Sequence, residues 1–170
     1  MNRTTPVSRL PATSLIWRFV PFNALTTAEL YELLQLRSEV FVVEQACVFQ
    51  DMDGADARAM HLLGHLGEGP GQAGQAGQLV AYARCFGAGI KFAESSIGRV
   101  VTHDDVRGSG AGHALLQKAV ACLTQHWGAQ PIRIGAQARL KAFYQQHGFE
   151  PTGAPYLEDG IAHIEMLRLA

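Results

Sequence analysis

At 170 residues, 48% hydrophobic and 17% charged, the chain has the length of one domain and enough apolar residues for a continuous core, which excludes an intrinsically disordered composition. Fourteen Lys plus Arg against fifteen Asp plus Glu leave a formal charge of −1, too little basic excess for the footprint of a nucleic-acid binder. The three cysteines, Cys47, Cys85 and Cys122, lie far apart with no C-x-x-C pair, so neither a disulfide framework nor a thiolate zinc site is expected and a reducing cytoplasm fits. No apolar run nears the roughly 18 residues of a membrane span, and Met1 to Ser14 lacks the hydrophobic region of a signal peptide. No membrane association is expected.

Residues 1–14 mix Pro, Thr, Ser and Arg without periodicity and read as a flexible tail ahead of one domain over 15–170. Leu15 to Val20 is rich in strand formers and stops at Pro21. From Thr26 or Thr27, either able to cap, Leu30, Leu33, Leu34, Val40 and Phe41 recur near helical spacing, which predicts a helix to about Gln45 with a break near Ser38. A polar loop carrying Gly54 leads to an apolar strand around His61 to Leu66. Gly67 to Gln78 is a low-complexity Gly/Gln stretch, costly to order and burying almost nothing, so a mobile hairpin loop is expected. Leu79 to Phe86 and Ile97 to Thr102 read as strands. Gly110 to Trp127 is the clearest helix, because Leu116, Val120, Leu123 and Trp127 step by helical spacing. Ile132 to Ile134 is a strand, Ala138 to His147 a short helix stopped by Gly148, and Phe149 and Ile161 to Leu169 begin the last strands. Such alternation predicts an α/β or α+β sheet of about seven strands with helices on both faces.

The densest information lies at Ile97-Gly98-Arg99-Val100-Val101-Thr102 and, five residues on, Arg107-Gly108-Ser109-Gly110-Ala111-Gly112 opening the strong helix. The first N–H groups of a helix have no intrahelical partner, and glycine lacks the Cβ that keeps a bulky anion away, so a diphosphate fits there. Charge-assisted hydrogen bonds of about 1.5–3 kcal/mol each exceed the ~0.3–1 kcal/mol of the helix dipole, so direct N–H contacts should dominate. A plain tight turn is the alternative. A Walker loop fails because the first lysine after the glycines is Lys118, and the dinucleotide fingerprint fails because His113 stands at its third glycine.

Arg107-x-x-Gly110-x-Gly112 after a Val-rich strand resembles the acyl-CoA signature of the GNAT N-acetyltransferases, and Tyr144-x-x-x-Gly148-Phe149 resembles their second motif. Leu36-Arg37-x-x-Val40-Phe41-Val42-Val43-Glu44-Gln45, Asp51-x-Asp53, Gly135-Ala136-Gln137-Ala138 and Glu158-Asp159-Gly160-Ile161-x-His163-Ile164 are similar to the ElaA-like branch, so the resemblance runs from about Leu15 to Arg168. It implies the GNAT acyl-CoA N-acyltransferase fold, a mixed central sheet splayed between strands 4 and 5 with the pantetheine arm of acetyl-CoA in the gap. Carried over by position, main-chain groups of Val100, Val101 and Thr102 would pair with pantetheine amides. Arg107, Gly108, Ser109, Gly110, Ala111 and Gly112 would hold the diphosphate. Gln137 stands where the superfamily often has Asn touching CoA, and Tyr144 is the candidate general acid. The implied activity is direct transfer of acetyl to a small-molecule or peptide amine in a ternary complex. A non-catalytic acyl-CoA sensor on the same fold is the rival, and a homodimer is the candidate assembly.

Amine attack on a thioester needs a neutral nucleophile; deprotonating a lysine-like amine at pH 7 costs roughly 4–5 kcal/mol, which a base or a desolvating pocket must offset. Candidate bases and acceptor-pocket residues are Glu44, Asp53, His61 and His163, with His163 and Glu44 put first; each has a structural alternative, a half-buried strand histidine for His163 and Asx turns for Asp51 and Asp53. No metal is expected. The Asp51-x-Asp53-Gly54-x-Asp56 run puts Asp56 and Leu62 where an EF-hand needs Gly and Glu, and His61 and His65 have no third ligand nearby in sequence. Ser109 lacks a G-x-S-x-G setting, and Cys47 and Phe143 read as packing residues.

Overall fold

The computed structural model describes residues 15–67 and 77–170; the expected tail at 1–14 and most of the Gly/Gln stretch fall outside them. Eight strands form one sheet: Leu15–Pro21 (β1), Met60–Leu66 (β2), Leu79–Phe86 (β3), Ser95–Thr102 (β4), Ile132–Gln137 (β5), Glu150–Pro151 (β6), Tyr156–Glu158 (β7) and Ile161–Arg168 (β8). Their order is β1-β2-β3-β4-β5-β8-β6, with β7 also paired to β8, and every pairing is antiparallel except β4 with β5. The sequence reading lacked β7. Its hairpin turns at Asp159 and Gly160, with φ of 48° and 78°, the left-handed pair that an Asp-Gly two-residue turn supplies.

Helix α1, Thr27–Arg37, starts at a capping box: the Thr26 hydroxyl accepts from the Glu29 N–H while the Glu29 carboxylate accepts from the Thr26 N–H. At the expected break the chain widens into a π-helical segment, Ser38–Glu44, ending with the Cys47 N–H donating to the Val42 carbonyl at 3.1 Å. Helix α2, Ala111–Trp127, buries Leu115, Leu116, Ala119 and Leu123. The short helix α3, Lys141–Gln145, follows a 3-10 turn at Ala138–Leu140, so the segment read as one helix is two.

Helices α1 and α2 cover opposite faces of the sheet. Leu33 and Leu36 of α1 share a core with Leu63, Tyr82 and Val101, whereas Leu115, Leu116 and Leu123 of α2 share one with Leu62, Ala83 and Ile134. Neighbours Leu62 and Leu63 thus point to different sides, as successive strand residues must. Every residue of β3 is buried, Arg84 included, consistent with its place inside the sheet between two helix-covered faces.

Between the parallel strands the ladder consists of Ser95↔Ile132 and Ser96↔Arg133. Beyond those pairs β4 and β5 diverge, while the far edge of β5 stays paired with β8 through Gln137↔His163. A sheet whose middle opens in this way leaves two strand edges without ladder partners, lining a gap at the strands' carboxyl ends.

Candidate active site

The gap is a cleft of about 380 Å³. Its strand walls include Val100, Val101 and Thr102 on the β4 side and Gln137 on the β5 side; Tyr144 enters from α3, and His163 from β8. The π-helical segment supplies Glu44, and the following residues supply Gln45 and Cys47. Sequence separation among these groups exceeds a hundred residues, and the splay brings them together.

Strand β4 carries a bulge. Tyr82 pairs with Val101 and Arg84 with Gly98, so Arg99 and Val100 together oppose Ala83. Arg99 has φ of 51°, a conformation that residues other than Gly, Asn, Asp and His rarely take.

At the end of β4 the chain turns through Arg107 to Gly112. Gly108 and Gly110 have φ of 74° and 92°, and Gly110 is the N-cap of α2. Both glycines are needed for the turn itself, and the turn leaves the first N–H groups of a seventeen-residue helix without intrahelical partners. The Ser109 hydroxyl donates to the Val106 carbonyl at 2.6 Å, bracing the loop. The cleft lining reaches Arg107 and does not include Gly108, Ser109, Gly110, Ala111 or Gly112, so the glycine turn lies outside the walls of the cavity.

Arg107 faces the cleft with its donors committed. Its Nη1 and Nη2 donate to the two Glu44 carboxylate oxygens at 2.8 and 2.7 Å, while Nε and Nη2 also reach the Thr102 carbonyl at 3.2 and 3.1 Å. The hydrogen bonds from Arg107 hold the Glu44 carboxyl below its ordinary pKa. Next to it, the Gln45 amide oxygen accepts from the Gln137 amide at 2.9 Å, and the Gln137 oxygen accepts from Arg139 Nε at 3.0 Å. Glu44 and Gln45 therefore tie the end of the π-helical segment to both sides of the split.

Tyr144 is 6% exposed and sits on Phe149 with ring centroids 6.0 Å apart. Burial pushes its phenol up to about 12, so it stays protonated at neutral pH. His163 stacks on Tyr156, and its Nδ1 lies 2.9 Å from the Ile161 carbonyl. A carbonyl only accepts, so Nδ1 donates to it, which leaves Nε2 as the ring nitrogen that faces away from this hydrogen bond. Phe143 packs on the core against Tyr144 and His113. Cys47 is buried, its Sγ 3.4 Å from the Asp159 carbonyl.

Two expected acceptor-side residues do not line the cleft. His61 is fully buried between the Tyr82 hydroxyl at 2.8 Å and the Asp56 carbonyl at 3.0 Å, and burial lowers its pKa, favouring the neutral ring. Asp53 accepts from Arg84 in a two-pronged pair at 2.7 and 2.8 Å and from Lys91 at 3.1 Å, and its Oδ1 caps the Ala55 N–H as an Asx turn. The Arg84 hydrogen bonds hold its carboxyl well below the usual range. This ion network was not legible in the sequence, because Arg37, Asp56, Arg84 and Arg99 come from four separate elements and Asp51 from a loop. Nor were Arg99 and Gln45 legible as cleft residues; Gly98 inside a strand was the one local sign of the bulge.

A mixed sheet split between its parallel strands, with a bulged strand running into a glycine turn and a helix, defines the GNAT class of acyltransferase. The chain belongs to the GNAT acetyltransferase family, in its ElaA-like branch: the family's Acetyltransferase (GNAT) domain model matches residues 72–169. Protein ElaA of Escherichia coli is 41% identical over 154 residues, which cover 89% of this chain and 95% of that protein. The crystal structure of Escherichia coli ElaA superposes with a TM-score of 0.79 at 40% identity, covering 91% of this chain and 99% of that one. An acyl-CoA N-acyltransferase from Pseudomonas aeruginosa gives the same TM-score of 0.79 at 40% identity over 90% of this chain and 99% of its own. The family uses an acyl-CoA and an acceptor. Among the described residues no helix is long and apolar enough to cross a membrane, and no group of three or more His, Cys, Asp or Glu could hold a metal ion.

Proposed function

We propose that the protein is an N-acetyltransferase that moves acetyl from acetyl-CoA to an amine by direct attack in a ternary complex. The observation that carries the reading is the split between β4 and β5, whose two unpaired edges end beside a buried, protonated Tyr144. A pantetheine arm is an extended chain with amide groups, and a strand edge without a ladder partner is complementary to it. Gly108 to Gly112 suit the diphosphate, since bare N–H groups there meet no Cβ from the two glycines that shape the turn.

Acetyl-CoA supplies the activated thioester, and the chain supplies three further services. Main-chain N–H groups near Val101 accept the role of polarising the carbonyl, at a bulge that turns the backbone toward the cleft. The Tyr144 hydroxyl donates a hydrogen bond to the departing sulfur. His163 Nε2 receives the amine's proton, a role that suits its lone pair better than it suits Glu44, whose two oxygens are held by Arg107. Glu44 instead fixes the wall of the site, and Arg107 acts through Glu44 and the main chain of its own loop. The acceptor is a small-molecule or peptide amine.

The test is free-thiol release from acetyl-CoA across a panel of polyamines, aminosugars and peptide N-termini, with acetyl-CoA binding measured in parallel. Turnover on any amine supports the enzyme. Tight binding with no turnover on any member supports a sensor that kept the cofactor cleft, and no binding overturns both.

A further inference from the structure

We propose that Asp51 is a positioning residue: through Arg99 it clamps the β4 bulge in the conformation that presents the main chain of Val100 and Val101 to the cleft. The inference rests on the acyl-transfer reading for its consequence and on geometry for its substance. A non-glycine residue at φ of 51° inside a strand does not persist unless its surroundings hold it there. Here the holder is visible. Arg99 Nε donates to Asp51 Oδ1 at 2.6 Å, and its Nη2 donates to the Asp51 carbonyl at 3.0 Å.

Asp51 is itself anchored. It is 5% exposed, and the fully buried Arg37 donates to its other carboxylate oxygen at 2.8 Å and to the same carbonyl at 3.1 Å. Arg37 also holds Asp56 at 2.8 Å, which joins Arg84 of β3 at 2.9 Å. The clamp thus runs from the end of α1, through Asp51, to the side chain of the residue bearing the strained backbone. The Phe49 ring, also in the cleft wall, lies under the Arg99 guanidinium at 5.7 Å and adds a cation–π contact on its open face. Without the clamp, Arg99 can leave its left-handed conformation while the flanking pairs Tyr82↔Val101 and Arg84↔Gly98 keep their register, and the groups of Val100 and Val101 then rotate away from the site.

The test compares Arg99→Ala with Arg99→Gly, which both leave the buried Arg37–Asp51 pair intact. Each loses the clamp, but only glycine takes the positive φ at little cost. Acetyl-CoA binding by Arg99→Ala is expected to be weaker than by Arg99→Gly by about fivefold or more, the order expected of one strained residue. Asp51→Asn should weaken binding in the wild-type background and add nothing to Arg99→Gly, because its influence passes through Arg99. A purely structural aspartate would instead change melting temperature in both backgrounds and binding in neither. Equal weakening by alanine and glycine overturns the proposal, since the side chain would then act by its own contacts. Amide chemical shifts of Val100 and Val101 in the ligand-free variants separate the two readings. Shifts kept in Arg99→Gly and displaced in Arg99→Ala uphold the clamp even if wild type binds no acetyl-CoA, and shifts alike in both refute it.

Discussion

Replacing Tyr144 by Phe removes one oxygen from the cleft and leaves its packing on Phe149 in place. With the phenol pushed up to about 12 by burial and a thiol near ~8.5, complete proton transfer to the leaving sulfur is uphill by roughly 5 kcal/mol. The hydroxyl is therefore worth a hydrogen bond to developing negative charge and not a delivered proton. Bonds to charged groups contribute about 1.5–3 kcal/mol, which sets the expected loss in kcat at about 10- to 150-fold. Affinity for acetyl-CoA should change by less than about threefold, because the hydrogen bond matters only as charge builds on sulfur. The assay is thiol release under saturating acetyl-CoA and the best amine of the panel, with calorimetric binding alongside. Unchanged kcat refutes the role of Tyr144, and a fall confined to binding shows that the hydroxyl grips the ground state instead.

His163→Gln keeps a hydrogen-bonding side chain and removes the base; kcat should fall by about 10²–10⁴ with acetyl-CoA binding preserved, and unaltered turnover would return the role to another group. Glu44→Gln loosens a half-exposed pair and should cost below about 1 kcal/mol in urea unfolding; a loss of several times that would show that the tie carries the fold. Stability should fall in two stages on acidification. His61 has a pKa below its ordinary 6.5 in the folded protein, so the unfolded chain takes up the proton first and the melting temperature drops as pH passes below about 6.5. Asp53 is also depressed, so its contribution is present above the usual carboxylate range and is lost as pH falls below about 4. A melting temperature flat from pH 7 to 5 would contradict the neutral burial of His61. Replacing residues 68–76 by a short turn should leave the melting temperature within a few degrees, because the β2–β3 hairpin is already closed by Leu66 with Gly77 and Gln78; a large loss of folded protein would show that the insertion is packed.

Elements whose signal is local were legible in the sequence. A helix start at Thr26 or Thr27, the apolar stripe of α2 and the strand over Leu79 to Phe86 each depend on residues a few positions apart; the structure puts the cap at Thr26 and the other two where their patterns put them. The break near Ser38 was also visible, although not its π-helical form. What escaped depends on pairing at a distance. Strand β7 has three exposed residues and is defined by its partner β8, so only the Asp159-Gly160 turn could have marked it. The clamp from Arg37 to Arg99 and the removal of Asp53 and His61 from the acceptor side follow from which charges meet across the sheet. Acidic residues in a polar loop look alike whether they face a substrate or a buried arginine. Of the candidate base residues, Glu44 and His163 line the cleft, and the difference between them, one carboxylate paired at both oxygens with Arg107 and one imidazole bonded to a carbonyl through Nδ1, is a matter of hydrogen-bond partners that no spacing reveals.

The central claim is that the β4–β5 split and the glycine turn beside it hold acetyl-CoA. Calorimetric titration of the whole chain with acetyl-CoA tests it most directly, with ADP as a competitor that carries only the diphosphate end. The account predicts one saturable site per chain, weakened by ADP, and a melting temperature that rises with ligand concentration. No heat and no thermal shift at millimolar acetyl-CoA would contradict it.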